Sequence, residues 1–178
     1  MLRFFKKVLF PIYSKIKAKF PDKRQDLPIL SIMKNEEWNV IELIDHYFWQ
    51  GADHIFIIDN GSNDKTPELI SSHDRSDDIT LISLPEPHKQ CARYWTVFKK
   101  CGIKKRFRWL AVADGDEFWY ARKDCSLPSA ITRFEEKFDV IYSRWANFGC
   151  STQQGHPESL REELTSRCQV PYDCTPAE

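Results

Sequence analysis

The chain has 178 residues and carries 26 basic and 26 acidic side chains, so its net charge at pH 7 is zero. This length suffices for one domain with a hydrophobic core, and the 42% of hydrophobic residues excludes a disordered chain. The charge is uneven, because residues 1–24 carry a net +7 and the remainder therefore −7. An acidic body argues against broad nucleic-acid binding.

The cysteines and the apolar segments indicate in which compartment the protein works. The six cysteines include no Cys-x-x-Cys pair, which argues against a zinc site, and a chain of this size needs no disulfides. No segment approaches the roughly 20 apolar residues of a membrane span. Lysines and Pro11 interrupt the N-terminal apolar residues too early for a signal peptide. We therefore expect a cytoplasmic protein with reduced thiols.

Residues 1–27 are predicted to be a basic amphipathic segment that ends in a linker. Ile12, Ile16 and Phe20 recur every four residues among lysines. This pattern is typical of a helix that lies on an anionic membrane surface, here as a peripheral contact with the inner face. It fits equally well a helix that packs on the domain with its lysines in water. The linker corresponds to residues 21–28, which prolines bound on both sides.

From residue 28 onward, predicted strands and helices alternate. Short apolar runs predict strands at 29–33, 55–58, 79–84, 109–113 and 140–143. Helices are predicted at 36–50, 88–101 and 128–138. Another helix is predicted to start at Thr66, which would be its N-cap, with Pro67 in the first position. This alternation predicts an α/β domain with a mostly parallel sheet flanked by helices. We assign it to residues 28–165 and interpret 166–178 as a tail.

Three polar loops follow strands of the predicted sheet, at residues 34–37, 59–64 and 114–117. Right-handed crossovers place them at one edge, where open α/β sheets bind ligands. Asp114 and Asp116 can hold a hard divalent cation that keeps positions open for water and phosphates. Each loop alone also fits an ordinary turn or helix start. Their convergence favours a ligand site, because acidic loops would otherwise repel one another.

The order of motifs along the chain resembles a known family. The motifs are MKNE at 33–36, IDNGSNDKT at 58–66, Gln90, Trp109, DGDEF at 114–118 and WANFG at 145–149. Together they resemble a family 2-type glycosyltransferase with the GT-A fold, in particular the subgroup that includes glycosyltransferase family 92. The resemblance implies a single GT-A-like domain and transfer of a sugar from a nucleotide-sugar donor to a glycan or lipid-linked acceptor, in surface polysaccharide biosynthesis.

The resemblance also implies roles in donor binding. Glu36 and Asp59 match positions that hold the nucleoside. Gln90 and Arg93 fall where family members contact the nucleotide or its diphosphate. These four assignments come from the resemblance alone.

The resemblance identifies the aspartate pair as the family's Asp-x-Asp motif. Asp116 would bind the cation, Mn²⁺ or Mg²⁺, and would serve catalysis through it. Asp114 would help to hold the ribose or the metal. The chemistry agrees, since a cation neutralises the charge that develops on a nucleoside diphosphate leaving group.

Inverting transfer also needs a general base. We expect it beyond residue 145 and favour Glu162, because it follows the segment that should line the acceptor side. Glu158 and Glu163 stay open as alternatives, and all three also fit solvated helix charges. Family members usually continue well past this length, so we expect a minimal or C-terminally truncated member whose nucleotide binding is easier to detect than transfer.

Two other functions stay open at this stage. One is a non-catalytic or truncated protein that binds a nucleotide-sugar. The other is a haloacid-dehalogenase-like phosphatase, which also carries Asp-x-Asp after a strand. Phe118 and the position of the motif far from the domain start count against the phosphatase.

Overall fold

The computed structural model describes residues 26–85, 89–135, 137–143, 146–149 and 155–167. The chain divides into two compact units, Met1–Val140 and Ile141–Glu178. The predicted amphipathic segment lies outside the described residues, apart from the last two residues of 1–27. Within the described part of the chain, no helix is long and apolar enough to cross a membrane.

The first unit is built on a four-stranded parallel sheet. Its strands are β1 (Pro28–Met33), β2 (His54–Asp59), β3 (Ile79–Ser83) and β4 (Ala111–Val112), in the order β3-β2-β1-β4. Met33 pairs with Asp59, and Asp59 pairs with Ser83, so the first three strands end level with one another. The predicted mostly parallel sheet is confirmed.

Helices connect the strands of the first unit. They are α1 (Val40–Trp49), α2 (Thr66–Ser71), α3 (Gln90–Lys100), α4 (Ile103–Arg106) and α5 (Leu127–Thr132), with a 3₁₀ turn at Ser76–Asp78. In the second unit, β5 (Phe148–Gly149) pairs antiparallel with β6 (Ser166–Arg167), and α6 (Leu160–Glu163) lies between them in the sequence.

The sheet is covered on both faces, as a parallel sheet requires. One face packs residues such as Ile29 and Ile57 with the buried side of α1. The other packs Leu30, Phe56 and Ile58 with buried residues of α3 and α4. The near-continuous apolar runs of β1 and β2 follow from this burial on both sides.

Several predicted boundaries are wrong. Helix α1 begins at Val40 rather than at 36, because residues 36–39 form a turn whose backbone contacts another loop. Residues 140–143 form no strand. Val140 and Tyr142 are exposed, and no described strand pairs with them. Helix α5 ends at Thr132, well before the predicted 138.

The start of α2 also differs from the prediction. Its N-cap is Lys65, and Thr66 is already helical. The Thr66 hydroxyl accepts a hydrogen bond from the Glu36 N–H at 2.9 Å instead of capping its own helix. The expected capping residue therefore joins two loops at the functional edge of the sheet.

Candidate active site

A cavity of about 440 Å³ lies at the carboxyl ends of β1 and β4 and at the start of α3. It brings together five of the residues that the sequence predicts for the site. Its lining consists of Ile32, Met33, Lys34, Glu36, Asn60, Lys89, Gln90, Arg93, Asp114, Gly115 and Asp116. Asp59 is not part of the lining, and Glu162 belongs to the second unit.

One wall of this cavity is made by the loops at residues 34–37 and 59–66, which we call the amide wall. Asn35 adopts a left-handed backbone conformation with φ of 57°. Its N–H donates to the Ser62 hydroxyl at 3.0 Å, and its side-chain oxygen accepts from the Asn63 N–H at 2.9 Å. Asparagine tolerates this conformation better than most residues. Both loops are thereby tied together side by side.

Glu37 and Asp64 extend the same cross-linking. The Asp64 carboxylate accepts from the N–H groups of Glu37 and Thr66, at 3.1 and 3.0 Å. The Glu37 carboxylate accepts from the Lys65 N–H at 3.1 Å. Burial acts to raise the pKa of Asp64, but its hydrogen bonds with Thr66 and Glu37 hold that pKa below its usual value. The side chains of Asn35, Glu37 and Asp64 are therefore engaged with the protein itself.

Asp59 is enclosed at the base of the amide wall. It is 5% exposed, and its carboxylate accepts from the Ser62 N–H at 2.9 Å and from the Ser83 hydroxyl at 3.4 Å. These contacts fix the turn after β2. Its predicted contact with the nucleoside stays a prediction, and the geometry gives Asp59 a role in shaping the loop.

The opposite wall is made by the turn at residues 114–117 and by Arg93, and we call it the ionic wall. The Glu117 N–H donates to the Asp114 carbonyl, and the Asp114 N–H donates to the Glu117 carboxylate, both at 3.1 Å. A methyl group placed on Gly115 would lie 3.4 Å from Cγ of Glu36. The two walls therefore meet at Glu36 and Gly115.

The electrostatics of the ionic wall fit a cation. Burial and the neighbouring charge of Asp116 raise the pKa of Asp114, against hydrogen bonds from Tyr94 and Gln90 that lower it. Two carboxylates close enough to repel provide the hard oxygen donors that Mg²⁺ and Mn²⁺ take. Within the described residues, no group of three His, Cys, Asp or Glu side chains could hold a metal. A cation held by Asp114 and Asp116 would take its other ligands from water and substrate oxygens.

Arg93 supplies the positive charge of the ionic wall. Its side chain is 5% exposed, and Nη1 donates to the Asn60 side-chain oxygen. Its Nη2 is buried and has no hydrogen-bond partner among the described residues. A buried guanidinium group with an unused donor that lines a cavity favours an anionic ligand there. Gln90 lies one turn earlier on α3 and donates to Asp114 at 3.4 Å.

Three side chains of α1 hold the segment that follows the aspartates, and sequence reasoning missed them. The Tyr47 hydroxyl donates to the Glu117 carbonyl at 2.6 Å, and His46 Nε2 donates to the Trp119 carbonyl at 2.7 Å. The Gln50 side-chain oxygen accepts from the Ala121 N–H at 3.0 Å. All three are almost fully buried. The available signal was the presence of histidine and glutamine on an otherwise apolar helix face.

The second unit holds the candidate general bases. The Ser159 hydroxyl caps α6 by accepting from the Glu162 N–H at 3.2 Å. The Glu163 carboxylate accepts from the N–H groups of Glu158 and Ser159 at 2.7 and 3.0 Å. Glu163 therefore closes the helix start, and all three glutamates are exposed.

Comparison with known proteins gave a family and a fold. The family described as glycosyltransferase family 92 matches residues 30–171. The crystal structure of S. aureus TarS 1–349 is similar, with a TM-score of 0.51 and 13% identity, covering 78% of this chain and 40% of that one. A second TarS structure from S. aureus has a TM-score of 0.47 and 16% identity, covering 63% and 20%. The predicted GT-A-like α/β fold is confirmed.

The extent of these matches is limited. The chain spans 40% or less of the length of the TarS chains that it resembles. A comparison with curated protein sequences gave no match.

Proposed function

The chain belongs to glycosyltransferase family 92, and we propose that it transfers a sugar from a nucleotide-sugar donor to a glycan or lipid-linked acceptor with the help of Mn²⁺ or Mg²⁺. One observation carries the proposal. A buried Arg93 with an unused donor and the carboxylates of Asp114 and Asp116 line the same cavity. This combination of one guanidinium and two carboxylates suits a cation–diphosphate pair.

The residues of the ionic wall have distinct tasks in this proposal. Arg93 donates from Nη2 to a diphosphate oxygen, which compensates a charge that its burial would otherwise disfavour. Asp114 and Asp116 hold the cation, which when bound stabilises the negative charge on the leaving nucleoside diphosphate. Gln90 orients Asp114 through its amide.

Glu36 orients the nucleoside from the amide wall. Its carboxylate accepts from the Asn39 side-chain amide at 2.8 Å and lines the cavity. Its backbone N–H is fixed by Thr66. A ligand hydroxyl can therefore meet a carboxylate whose main chain and side chain are both restrained, which lowers the entropic cost of binding.

We further propose inverting transfer with Glu162 as the general base. An exposed carboxylate next to a capped helix start is free to accept a proton from an acceptor hydroxyl. Transfer at the inner face of a membrane, in surface polysaccharide biosynthesis, is part of the same proposal. It rests on the basic character of residues 1–24.

The test measures binding of UDP and GDP by calorimetry, with Mn²⁺ and with EDTA, in the parent and in Arg93→Met. We expect Mn²⁺ to strengthen binding in the parent and Arg93→Met to weaken it roughly tenfold or more, as for a lost charged hydrogen bond of about 1.5–3 kcal/mol. Arg75→Met is the matched control, since Arg75 pairs with Asp78 at the surface. Equal affinities in the parent and Arg93→Met would contradict the proposal.

Hydrolysis of UDP- and GDP-sugars then separates an enzyme from a binding protein. Mn²⁺-dependent release of the sugar supports a transferase, whereas tight nucleotide binding without turnover supports the non-catalytic alternative. The family match leaves the phosphatase alternative without support.

A further inference from the structure

Tyr94 is a buried tyrosine next to the ionic wall of the donor cavity. It follows Arg93 directly on α3 and is 5% exposed. Its side chain packs in the core with Leu30, Phe56 and Val97, on the face of the sheet that α3 covers. Because a close-packed core holds an aromatic ring in one orientation, the Tyr94 hydroxyl occupies a fixed position.

The Tyr94 hydroxyl accepts a hydrogen bond from the carboxyl end of β1. The register of β4 with β1 ends at Leu30, which pairs with Val112. Ile32 lies two residues further along β1, and its N–H donates to the Tyr94 hydroxyl. Ile32 also lines the donor cavity. The hydroxyl is thereby attached to the strand end at which the cavity begins.

Gln90 connects this hydroxyl with the aspartate pair. Its side-chain amide nitrogen donates to the Tyr94 hydroxyl and to Asp114 Oδ1, both at 3.4 Å. The amide carries two hydrogens, so it can make both bonds at once. A further hydrogen bond joins Tyr94 and Asp114 directly. The three side chains therefore form a closed set of hydrogen bonds.

The direction of the Tyr94–Asp114 hydrogen bond follows from the other contacts. A tyrosine hydroxyl has one proton to donate and can accept on its oxygen. Ile32 and Gln90 both donate to that oxygen. An ionised carboxylate can only accept, so the proton of the Tyr94 hydroxyl points to Asp114.

This hydrogen bond matters because Asp114 is an exposed residue that lines the cavity. An exposed aspartate side chain can change its rotamer, and a cation binds more tightly when its ligand is already in position. Removing a group that hydrogen-bonds to a metal ligand typically costs roughly 10–100-fold in metal affinity. A buried hydroxyl with a fixed proton is suited to such a role.

We propose that Tyr94 is a positioning residue for the cation site and orients the Asp114 carboxylate through its buried hydroxyl. The inference rests on the proposed cation-dependent transferase function and adds to it a residue that does not line the donor cavity itself. Helix α3 then serves both charges of the ligand. Arg93 binds the diphosphate, and Tyr94 holds a ligand of the cation.

The test measures UDP binding to the whole chain by calorimetry, at increasing Mn²⁺ concentrations and in EDTA, in the parent and in Tyr94→Phe. Phenylalanine keeps the ring in the core and removes only the hydroxyl. The Mn²⁺ concentration that gives half of the full enhancement of UDP binding should rise roughly tenfold or more. UDP affinity in EDTA should stay unchanged. The control Tyr120→Phe removes the hydroxyl of a 58% exposed tyrosine and should change neither quantity.

UDP affinity in EDTA separates positioning from packing. Arg93 is the neighbour of Tyr94 on α3 and binds the diphosphate in the proposed function, so a disturbed helix would weaken UDP binding with and without Mn²⁺. Equal losses in both conditions would assign the hydroxyl to the core and overturn the inference. A Tyr94→Phe chain that does not fold would overturn it as well.

Gln90→Met separates the contribution of Tyr94 from that of Gln90. Gln90 is only half-buried, and hydrogen bonds are stronger in the interior than near water. Gln90→Met should therefore raise the half-maximal Mn²⁺ concentration by a smaller factor than Tyr94→Phe. An equal or larger factor would assign the orientation of Asp114 to Gln90 and overturn the role of Tyr94.

The parent protein distinguishes failure of this inference from failure of the proposed function. A parent whose UDP binding does not respond to Mn²⁺ contradicts the proposed function itself. A parent that responds, together with a Tyr94→Phe variant that responds at the same Mn²⁺ concentration, overturns the role of Tyr94 alone.

Discussion

The two walls of the donor cavity use the same kinds of polar residue in opposite ways. In the amide wall, the carboxylates of Asp59 and Asp64 are occupied by backbone N–H groups of the protein. In the ionic wall, Arg93 keeps a buried donor without a partner, and burial and a like charge raise the pKa of Asp114. The two enclosed carboxylates of the amide wall are thus satisfied internally, whereas the ionic wall keeps one buried donor for a ligand.

This difference separates residues that shape the site from residues that act in it. Polar groups already paired within the protein contribute to a rigid loop, whereas unpaired buried groups cost free energy that a ligand can recover. Substitutions in the amide wall should therefore change stability first, and substitutions in the ionic wall should change binding first.

The largest effect is expected for Asp116→Asn in the ionic wall. The amide removes a charge that would hold the cation, and cation stabilisation of a leaving group is worth several kcal/mol. We expect sugar-nucleotide hydrolysis to fall roughly 100-fold or more and the Mn²⁺-dependent part of nucleotide affinity to vanish. Steady-state hydrolysis and calorimetry measure the two quantities.

The control for this variant is Asp77→Asn, an exposed aspartate of the 3₁₀ turn. It should leave activity and Mn²⁺ dependence unchanged. An Asp116→Asn protein that keeps the Mn²⁺ dependence of the parent would remove the aspartate pair from the cation site and break the distinction between the walls.

The next effect is expected for Gly61→Ala in the amide wall. Gly61 has φ of 79°, and an added Cβ would lie 3.2 Å from Cβ and 3.3 Å from Cα of Pro85. A left-handed conformation alone costs a residue with a side chain about 1 kcal/mol or more. We expect a loss of about 1–3 kcal/mol in the free energy of unfolding, measured with urea.

Gly115→Ala is the matched change across the cavity. Its backbone is not left-handed, and the added methyl group would be in ordinary contact with Glu36 at 3.4 Å. The free energy of unfolding should fall by less than about 1 kcal/mol. A larger loss for Gly115→Ala than for Gly61→Ala would contradict the assignment of backbone constraint to the amide wall.

The sequence predicted the strands well where an apolar run is buried on both faces of the sheet. β1 and β2 were predicted within one residue at each end, because runs such as Ile55, Phe56, Ile57 and Ile58 are buried on both faces of the sheet. The same reasoning failed at residues 140–143. A strand needs a backbone partner, and an apolar run cannot show whether one exists.

The charged residues of the site could be predicted from the sequence, but the buried side chains that hold the loop after the aspartates could not. The aspartates stand out by type and position, Arg93 was assigned from the family resemblance alone, and the structure places all three in one cavity. Their roles stay predictions. The contacts of His46 and Gln50 join residues about 70 positions apart, with backbone groups as partners. No side-chain pattern encodes such partners, so these supports could be found only from the structure.

A smaller effect is expected for Tyr47→Phe, which removes one support of the ionic wall. In the parent, the Tyr47 hydroxyl donates to the Glu117 carbonyl at 2.6 Å. Because phenylalanine cannot make this hydrogen bond, the free energy of unfolding should fall by about 1–2 kcal/mol. Since the turn at 114–117 then moves more freely, Mn²⁺-dependent UDP affinity should fall severalfold while UDP affinity in EDTA stays constant. Tyr142→Phe, at an exposed tyrosine, should change neither quantity.

The smallest effect should come from His54, which lies at the start of β2, at the opposite end of that strand from both walls. Burial and the charge of Arg106 lower the pKa of His54, against a smaller opposite effect of Asp78. The unfolded chain therefore binds the proton first as the pH falls. Neutral His54 contributes its full share of stability above the pKa that it has in the unfolded chain, about 6.5. That contribution is lost as the pH falls through the lower pKa of His54 in the folded chain.

Urea unfolding at several pH values between about 5 and 7.5 measures this contribution in the parent and in His54→Gln. Glutamine keeps a neutral group that can bond to the Thr80 hydroxyl, which His54 Nε2 meets at 2.8 Å, but it does not titrate. The parent should lose stability on acidification more steeply than the variant. Affinity for UDP, compared at one pH, should be the same in both proteins, because His54 touches neither wall. Parallel pH profiles would show that His54 is protonated alike in the folded and unfolded chains.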